Sequence, residues 1–362
     1  MKIYSLAFLW YIPIISGLLF QFPFVFPIPD SQPILKTDKA ATAKIVFKSA
    51  DGGQTWQDIS KGLPENLAEG GFFANESGLY LRAGKGTYHS NPNSTTSFWQ
   101  KEIFPDNWSS IAAGKSGMFA YNYWGQIVQK ISGTSVWSPV YTNFQSNIRT
   151  VFETAGGAVF VGSDNGLFKS ADNGKTWKQV HAGGWVIKMV EQHGVLVATS
   201  MSGIIQSADE GENWSVVISE GGVGIDVARI QGGFAAISYS TVAKTRRIRT
   251  SYDGGKTWQP IDAGFPGQAI TDSRWPLINT GNPAQGTDSV WHPKEVAPPE
   301  QEYKTSIIQM GENFFCGHTD GIYKSSDKGK TWKLVLPADK GKMFILSVSG
   351  KVIYAVQTES HC

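Results

Sequence analysis

Apolar residues along this chain come in short runs, alternating with polar ones and ending at Gly-Gly, Asn-Gly or Asp-Gly pairs. Residues 151–162, VFETAGGAVFVG, read as strand, turn, strand, and residues 186–200, VIKMVEQHGVLVATS, repeat that grammar. No long stretch carries apolar residues at helical spacing. The pattern predicts an all-β chain.

One eight-residue string punctuates these runs. It reads SADGGQTW (49–56), SADNGKTW (170–177), SADEGENW (207–214), SYDGGKTW (251–258) and SSDKGKTW (325–332). Two damaged copies keep only the aromatic, SNPNSTTSFW ending at Trp99 and SGTSVW ending at Trp137. The tryptophans then stand at 56, 99, 137, 177, 214, 258 and 332, in steps of 43, 38, 40, 37, 44 and 74. A period near 40 with four short strands predicts one β-propeller blade per repeat. In 147–180 the unit runs strand A (IRTVFETA), strand B (AVFVGS), strand C (LFKSA), the string, then strand D (TWKQV). Residues 44–60 supply only C and D, and 343–357 only A and B, so the two ends complete one blade and close a ring of seven.

The repeated string lies between strands C and D and predicts a hairpin turn. Asp51, Asp172, Asp209, Asp253 and Asp327 accept backbone N–H groups further along. The glycine supplies a positive φ. Trp56, Trp177, Trp214, Trp258 and Trp332 fold back over their turns, each burial worth on the order of 4–6 kcal/mol as an upper bound. Successive copies sit on different blades, so these aspartates serve shape, not a shared reaction centre.

These five strings resemble the Asp-box, or BNR, repeat of sialidases, sortilin-type receptors, xyloglucan-degrading hydrolases and photosystem II assembly factors. The resemblance covers residues 44–362 and implies a propeller; the repeat is shared by enzymes and non-enzymes. In size and blade count the chain is most similar to the single seven-bladed assembly factors, which are exported or membrane-associated. Sialidases add an arginine triad opened by Arg-Ile-Pro before the first box. Here PILKTDKAATAKIV stands there, and no such arginine is present.

The N-terminus breaks the strand pattern. After Lys2 no charged residue appears until Asp30, which predicts a signal peptide or membrane anchor over 1–29 and a linker over 30–43. The expected location is therefore exported: periplasmic, secreted or membrane-anchored. The propeller is expected over 44–362. A net charge of +2 gives no electrostatic case for nucleic acid, and Lys244, Arg246, Arg247 and Arg249 read as solvated charge at a strand edge. Cys316 and Cys362 make no disulfide framework, and Cys316 lies in an apolar strand. No metal-ligand spacing or phosphate loop occurs, so neither metal nor cofactor is expected.

The topology then locates a site. Turns A–B and C–D lie on one side of the ring and connections B–C and D–A on the other. The long step of 74 places an insertion, 262–302, in a D–A connection. It carries Arg274, Trp275, Trp291 and His292, and B–C loops on the same side carry Tyr121, Tyr123, Trp124, Tyr239 and His318. Rings at such a mouth suit sugar stacking or protein hot spots. The leading expectation is a monomeric, non-catalytic scaffold binding a protein or glycan there. The alternative is an exported glycosidase using the carboxylates of Glu153 and Asp226, with Arg149 and Arg229 nearby in sequence.

Overall fold

The computed structural model describes residues 44–359 apart from 65–70, 77, 84–85, 91–98, 103–109, 116, 123, 135, 143, 145 and 267–304. These residues form seven four-stranded antiparallel sheets with no helix among them: a seven-bladed β-propeller. Blades 1 to 6 follow in chain order over 72–102, 110–140, 148–181, 189–218, 222–260 and 307–337. Blade 7 takes strands A and B from Lys342–Ser349 and Val352–Glu359, and strands C and D from Val46–Ser49 and Gln57–Asp58. Val46 pairs with Val356 and Ser49 with Ile353, so the two ends of the described chain share one sheet, as expected.

Each sheet is covered on both faces by its neighbours, which is why B strands carry apolar residues on both faces and not in alternation. Strands Val159–Ser163 and Gly233–Ser240 are buried at every position. The described core divides into seven clusters, one at each blade junction. The largest joins blades 5 and 6, with Ile237, Phe314 and Trp332 among its members. The smallest joins blades 1 and 2 and has only Ile111, Met118 and Ala120 as buried members.

The five Ser-x-Asp-x-Gly-x-x-Trp turns share one hydrogen-bond pattern. In blade 3 Ser170 Oγ donates to Asp172 Oδ1 (2.8 Å) and accepts from Gly174 N (2.8 Å). Thr176 gives both its N–H (2.8 Å) and its hydroxyl (2.6 Å) to Asp172. In blade 4 Asn213 takes the threonine's place against Asp209. These donors pull the carboxyl well below its usual range, to about 2 for Asp172 and Asp327, with the threonine hydroxyl the main cause. The residue before each glycine also has positive φ, even when it is Asn173, Glu210 or Lys328, so each turn holds two left-handed positions in a row.

The indoles do more than cover their own turns. Those of Trp177, Trp214 and Trp258 donate to the carbonyls of Gly174, Gly211 and Gly255. Three tryptophans also reach the preceding blade: Trp99 to Ile59 O (2.7 Å), Trp177 to Tyr141 O (3.1 Å) and Trp332 to Ile261 O (2.9 Å). The turn is thus a clamp between blades. Blade 2 departs from the pattern. Lys130 pairs with Trp137 itself, whereas Lys169 pairs with Lys178, the residue after Trp177. The blade 2 turn is two residues shorter, and the exposed Val136 stands where a clamp would place its tryptophan.

Candidate functional site

The clamp side opens into a cavity of about 890 Å³, lined by A–B turns from blades 2 to 6. Side chains stitch these turns around the mouth. Lys115 Nζ donates to Ala155 O (2.6 Å), Ala155 N to Glu191 Oε2 (2.6 Å), and Gln231 N to Gln309 Oε1 (2.6 Å). Glu153 and Arg229 line this cavity together with Glu191 and His193.

Asp226 does not join them. Its strand, Gly222–Ile230, slips register between Gly224 and Asp226, so the alternation that would aim it is broken. The residue is 2% exposed, its carboxylate paired with Lys188 Nζ (2.5 Å) and accepting from Ile307 N (2.8 Å) of the next blade. Burial pushes its carboxyl up, against the pull of the Lys188 ammonium. Asp226 ties blades 4, 5 and 6 together and makes no carboxylate pair with Glu153 at the mouth. Arg149 lies at the other end of Glu153's strand, Ile148–Glu153, where its Nε meets Asp164 Oδ1 (2.5 Å).

On the opposite side the predicted rings separate. Tyr239 is 1% exposed inside the blade 5–6 core, because its strand is covered on both faces; it offers no ring to a partner. His318 is 9% exposed, bonded to Asp320 and packed edge-on against Phe265 and Tyr323. Burial lowers its pKa, and Asp320 opposes that shift. Tyr121 is buried too, its hydroxyl donating to Arg149 O (3.3 Å). The basic quartet is also not the solvated edge expected. Arg246 is buried, Arg247 pairs with Asp262 (2.7 Å) and Arg249 with Glu220. Tyr123, Arg274, Trp275, Trp291 and His292 lie outside the described residues, as does most of the 262–302 insertion.

Trp124 behaves differently from all of these. It is 77% exposed, yet its loop is tightly held. Asn122 Oδ1 accepts from Trp124 N and Gln126 N (both 3.1 Å), while Asn122 Nδ2 donates to Gln126 Oε1 (2.7 Å). Thr142 Oγ1 then donates to Gly125 O (2.6 Å), fastening the loop to the segment that follows strand D. Gly125, at φ +83°, has no room for a side chain against Phe144 O. The neighbour of Thr142 is Tyr141, 79% exposed, which the sequence analysis did not single out. Two exposed rings thus flank one fastened point of blade 2, each next in sequence to a partner of the Thr142–Gly125 hydrogen bond. Met201 and Val242, in the B–C loops of blades 4 and 5, add exposed apolar groups on the same side.

Among the described residues no His, Cys, Asp and Glu group could hold a metal ion, and no helix is long and apolar enough to cross a membrane. Cys316 is a buried free thiol whose pKa burial pushes up to about 12.

No family model and no curated protein sequence matches the chain. Solved structures do. One chain of a mitotic checkpoint complex is 11% identical, with 83% of this chain and 92% of that chain covered and a TM-score of 0.56. An ancestral GH74 enzyme is 12% identical at a TM-score of 0.51, with 82% of this chain but 40% of that chain covered. YCF48 bound to D1 peptide is 12% identical, with 81% of this chain and 96% of that chain covered and a TM-score of 0.48. At these identities the likeness concerns the fold alone.

Proposed function

We propose that this chain is an exported, non-catalytic Asp-box propeller that holds a protein or glycan partner on the B–C and D–A side. The observation that carries this reading is the Trp124–Tyr141 patch. Large rings exposed beside a fixed loop offer contact area to a partner, and tryptophan and tyrosine are enriched in binding hot spots. The Asn122 network holds the loop before any partner arrives, which lowers the ordering cost of association. Export rests on the apolar 1–29 segment, which lies outside the described residues.

The test is affinity purification from an envelope fraction with wild-type protein and with Trp124→Ala and Tyr141→Ala, quantified by mass spectrometry. Species recovered with wild type and depleted at least tenfold with both variants, at unchanged Tm, support the reading. Equal recovery with all three proteins overturns it.

A second reading, a glycosidase, draws on the cavity that holds Glu153. Turnover of chromogenic glycosides that Glu153→Gln abolishes, while Asp226→Asn changes only stability, would place the chemistry at that mouth.

A further inference from the structure

The B–C and D–A side carries a second set of exposed groups, on the arc from blade 4 to blade 7, across the ring from blade 2. Val242 is 82% exposed, the most of any large apolar residue among those described, and Met201 on the adjacent blade is 38% exposed. The Val242 loop is held in place. Thr241 donates both its N–H (3.3 Å) and its hydroxyl to Gly221 O, Ala243 N donates to Ser240 Oγ (3.0 Å), and Ser240 Oγ donates to Glu220 O (2.8 Å). Lys244 follows in the left-handed region at φ +55°, a conformation kept only where the surrounding structure enforces it.

Lysines continue the arc. Lys340, Lys44 and Lys61 are exposed on this side around blade 7. The described carboxylates nearby are engaged within the fold: Glu220 with Arg249, Asp262 with Arg247 (2.7 Å), and Asp320 with Tyr323 (2.7 Å). Asp339 accepts from the Gln357 amide (3.1 Å), in the orientation that satisfies both ends of that amide. The lysine ammoniums are the charges left to meet a partner. Lys44 is also where the described chain begins, just before strand C of blade 7 and therefore on this side. Fully extended, residues 30–43 span at most about 50 Å, so the apolar 1–29 segment is joined to the ring from this side by a short tether.

We propose that this arc docks on an anionic lipid bilayer, with Val242 and Met201 entering the headgroup region and the lysines meeting lipid phosphates. A protein partner draws its affinity from a clustered, packed patch. Val242 stands clear on one loop tip and Met201 on another. A bilayer takes each tip separately, and its hold grows with the apolar area inserted and with each basic group near the anionic surface. Among the described residues the arc offers no exposed ring for a sugar, since Tyr239 and His318 are buried. The lipid contact goes beyond the reading given to the Trp124 patch and uses none of its residues.

Lipid quenching of a site-specific fluorophore on the full chain tests it. Cys362→Ser leaves only the buried Cys316 as a native thiol. The fluorophore is attached at Val242→Cys or, as a matched control on the clamp side, at Val136→Cys, another exposed valine (66%). Each protein is floated with phosphatidylcholine vesicles, with or without phosphatidylglycerol, and quenching by doxyl-labelled lipid is read. The expected result is quenching at 242 on the anionic vesicles, at least fivefold above that at 136. It should fall at least twofold on neutral vesicles, and likewise when Lys44→Glu, Lys61→Glu and Lys340→Glu are combined. Failure to float, equal quenching at the two positions, or quenching at 242 that neither neutral lipid nor the lysine reversals reduce overturns the proposal. If the lysine variant fails to fold, the neutral vesicles decide that arm. Partner recovery that still depends on Trp124, with no quenching at 242, overturns the lipid contact and leaves the blade 2 reading standing.

Discussion

The junction between blades 5 and 6 and the junction between blades 1 and 2 solve the same packing problem with different completeness. At the first, Trp332 is 8% exposed, donates to Ile261 O across the junction and meets the Phe265 ring edge-on at 5.1 Å. At the second, Trp137 has moved one register step, and only three described residues are buried in the cluster. The closed ring tolerates this because blade 1 is also held from its other side, where Ser349 Oγ donates to Asn75 O (2.8 Å). A ring with seven junctions can leave one of them less fully sealed than the others. The same junction is a place for local unfolding to start, since local stability follows local burial.

The largest expected effect separates the two junctions directly. Trp332→Ala should lose about 3–5 kcal/mol, as buried aromatics do, while Trp137→Ala, half-buried, should lose about 1–2 kcal/mol. Urea unfolding at fixed m-value measures both; equal losses would mean that clamp register does not set the strength of a junction.

Glycines give a finer contrast. Gly211 and Gly133 both have positive φ, +83° and +80°, so alanine is strained at either. Only at Gly211 does the added methyl also strike Phe160 and Leu196. Gly211→Ala should therefore cost about 2–4 kcal/mol and Gly133→Ala about 1 kcal/mol. A smaller loss at Gly211 than at Gly133, in thermal melts of the two variants, would refute the seating of clamp on blade.

The clamps were legible in the sequence because they are local: serine, aspartate, glycine and tryptophan contact one another within eight residues. The closing blade was legible too, since each end of the propeller supplies half of the strand pattern. What stayed hidden depends on register. Trp137 falls on the tryptophan grid, but counting residues cannot show that its strand pairs one step early. Asp226 sits beyond a register slip, so reading alternate residues inward and outward could not orient it. Tyr239, expected in a B–C loop, lies inside a B strand, and a propeller buries both faces of its inner strands. Trp124 was legible from YNYWG, whose asparagine and glycine announce a tight turn around the rings.

Acid should act on the clamps as a class. Each clamp carboxyl has its pKa lowered in the folded chain, so its contribution is fully present above the unfolded value near 4 and is lost as pH falls toward 2. Blade 2 has no such carboxylate in its turn. Hydrogen exchange followed from pH 5 to pH 2.5, corrected for intrinsic rates, should show protection falling at the blade 3 to 7 turns and little change at Ile131–Thr134. A uniform loss would mean that acid acts through the whole molecule and not through the clamp aspartates.

The smallest effect on stability is also the most informative about function. Trp124 touches water over most of its surface, so Trp124→Ala should shift stability by no more than about 0.5 kcal/mol. Asn122→Ala should cost more, because its side chain accepts from two backbone N–H groups and donates to Gln126. If the loop exists to present the ring, both variants should weaken partner recovery, Trp124→Ala by removing the contact and Asn122→Ala by loosening it. Restoring a ring with Trp124→Phe should recover part of the binding in the first case. A Trp124→Ala protein that binds as well as wild type while Asn122→Ala does not would reassign the patch, making the loop a structural corner with an incidental indole.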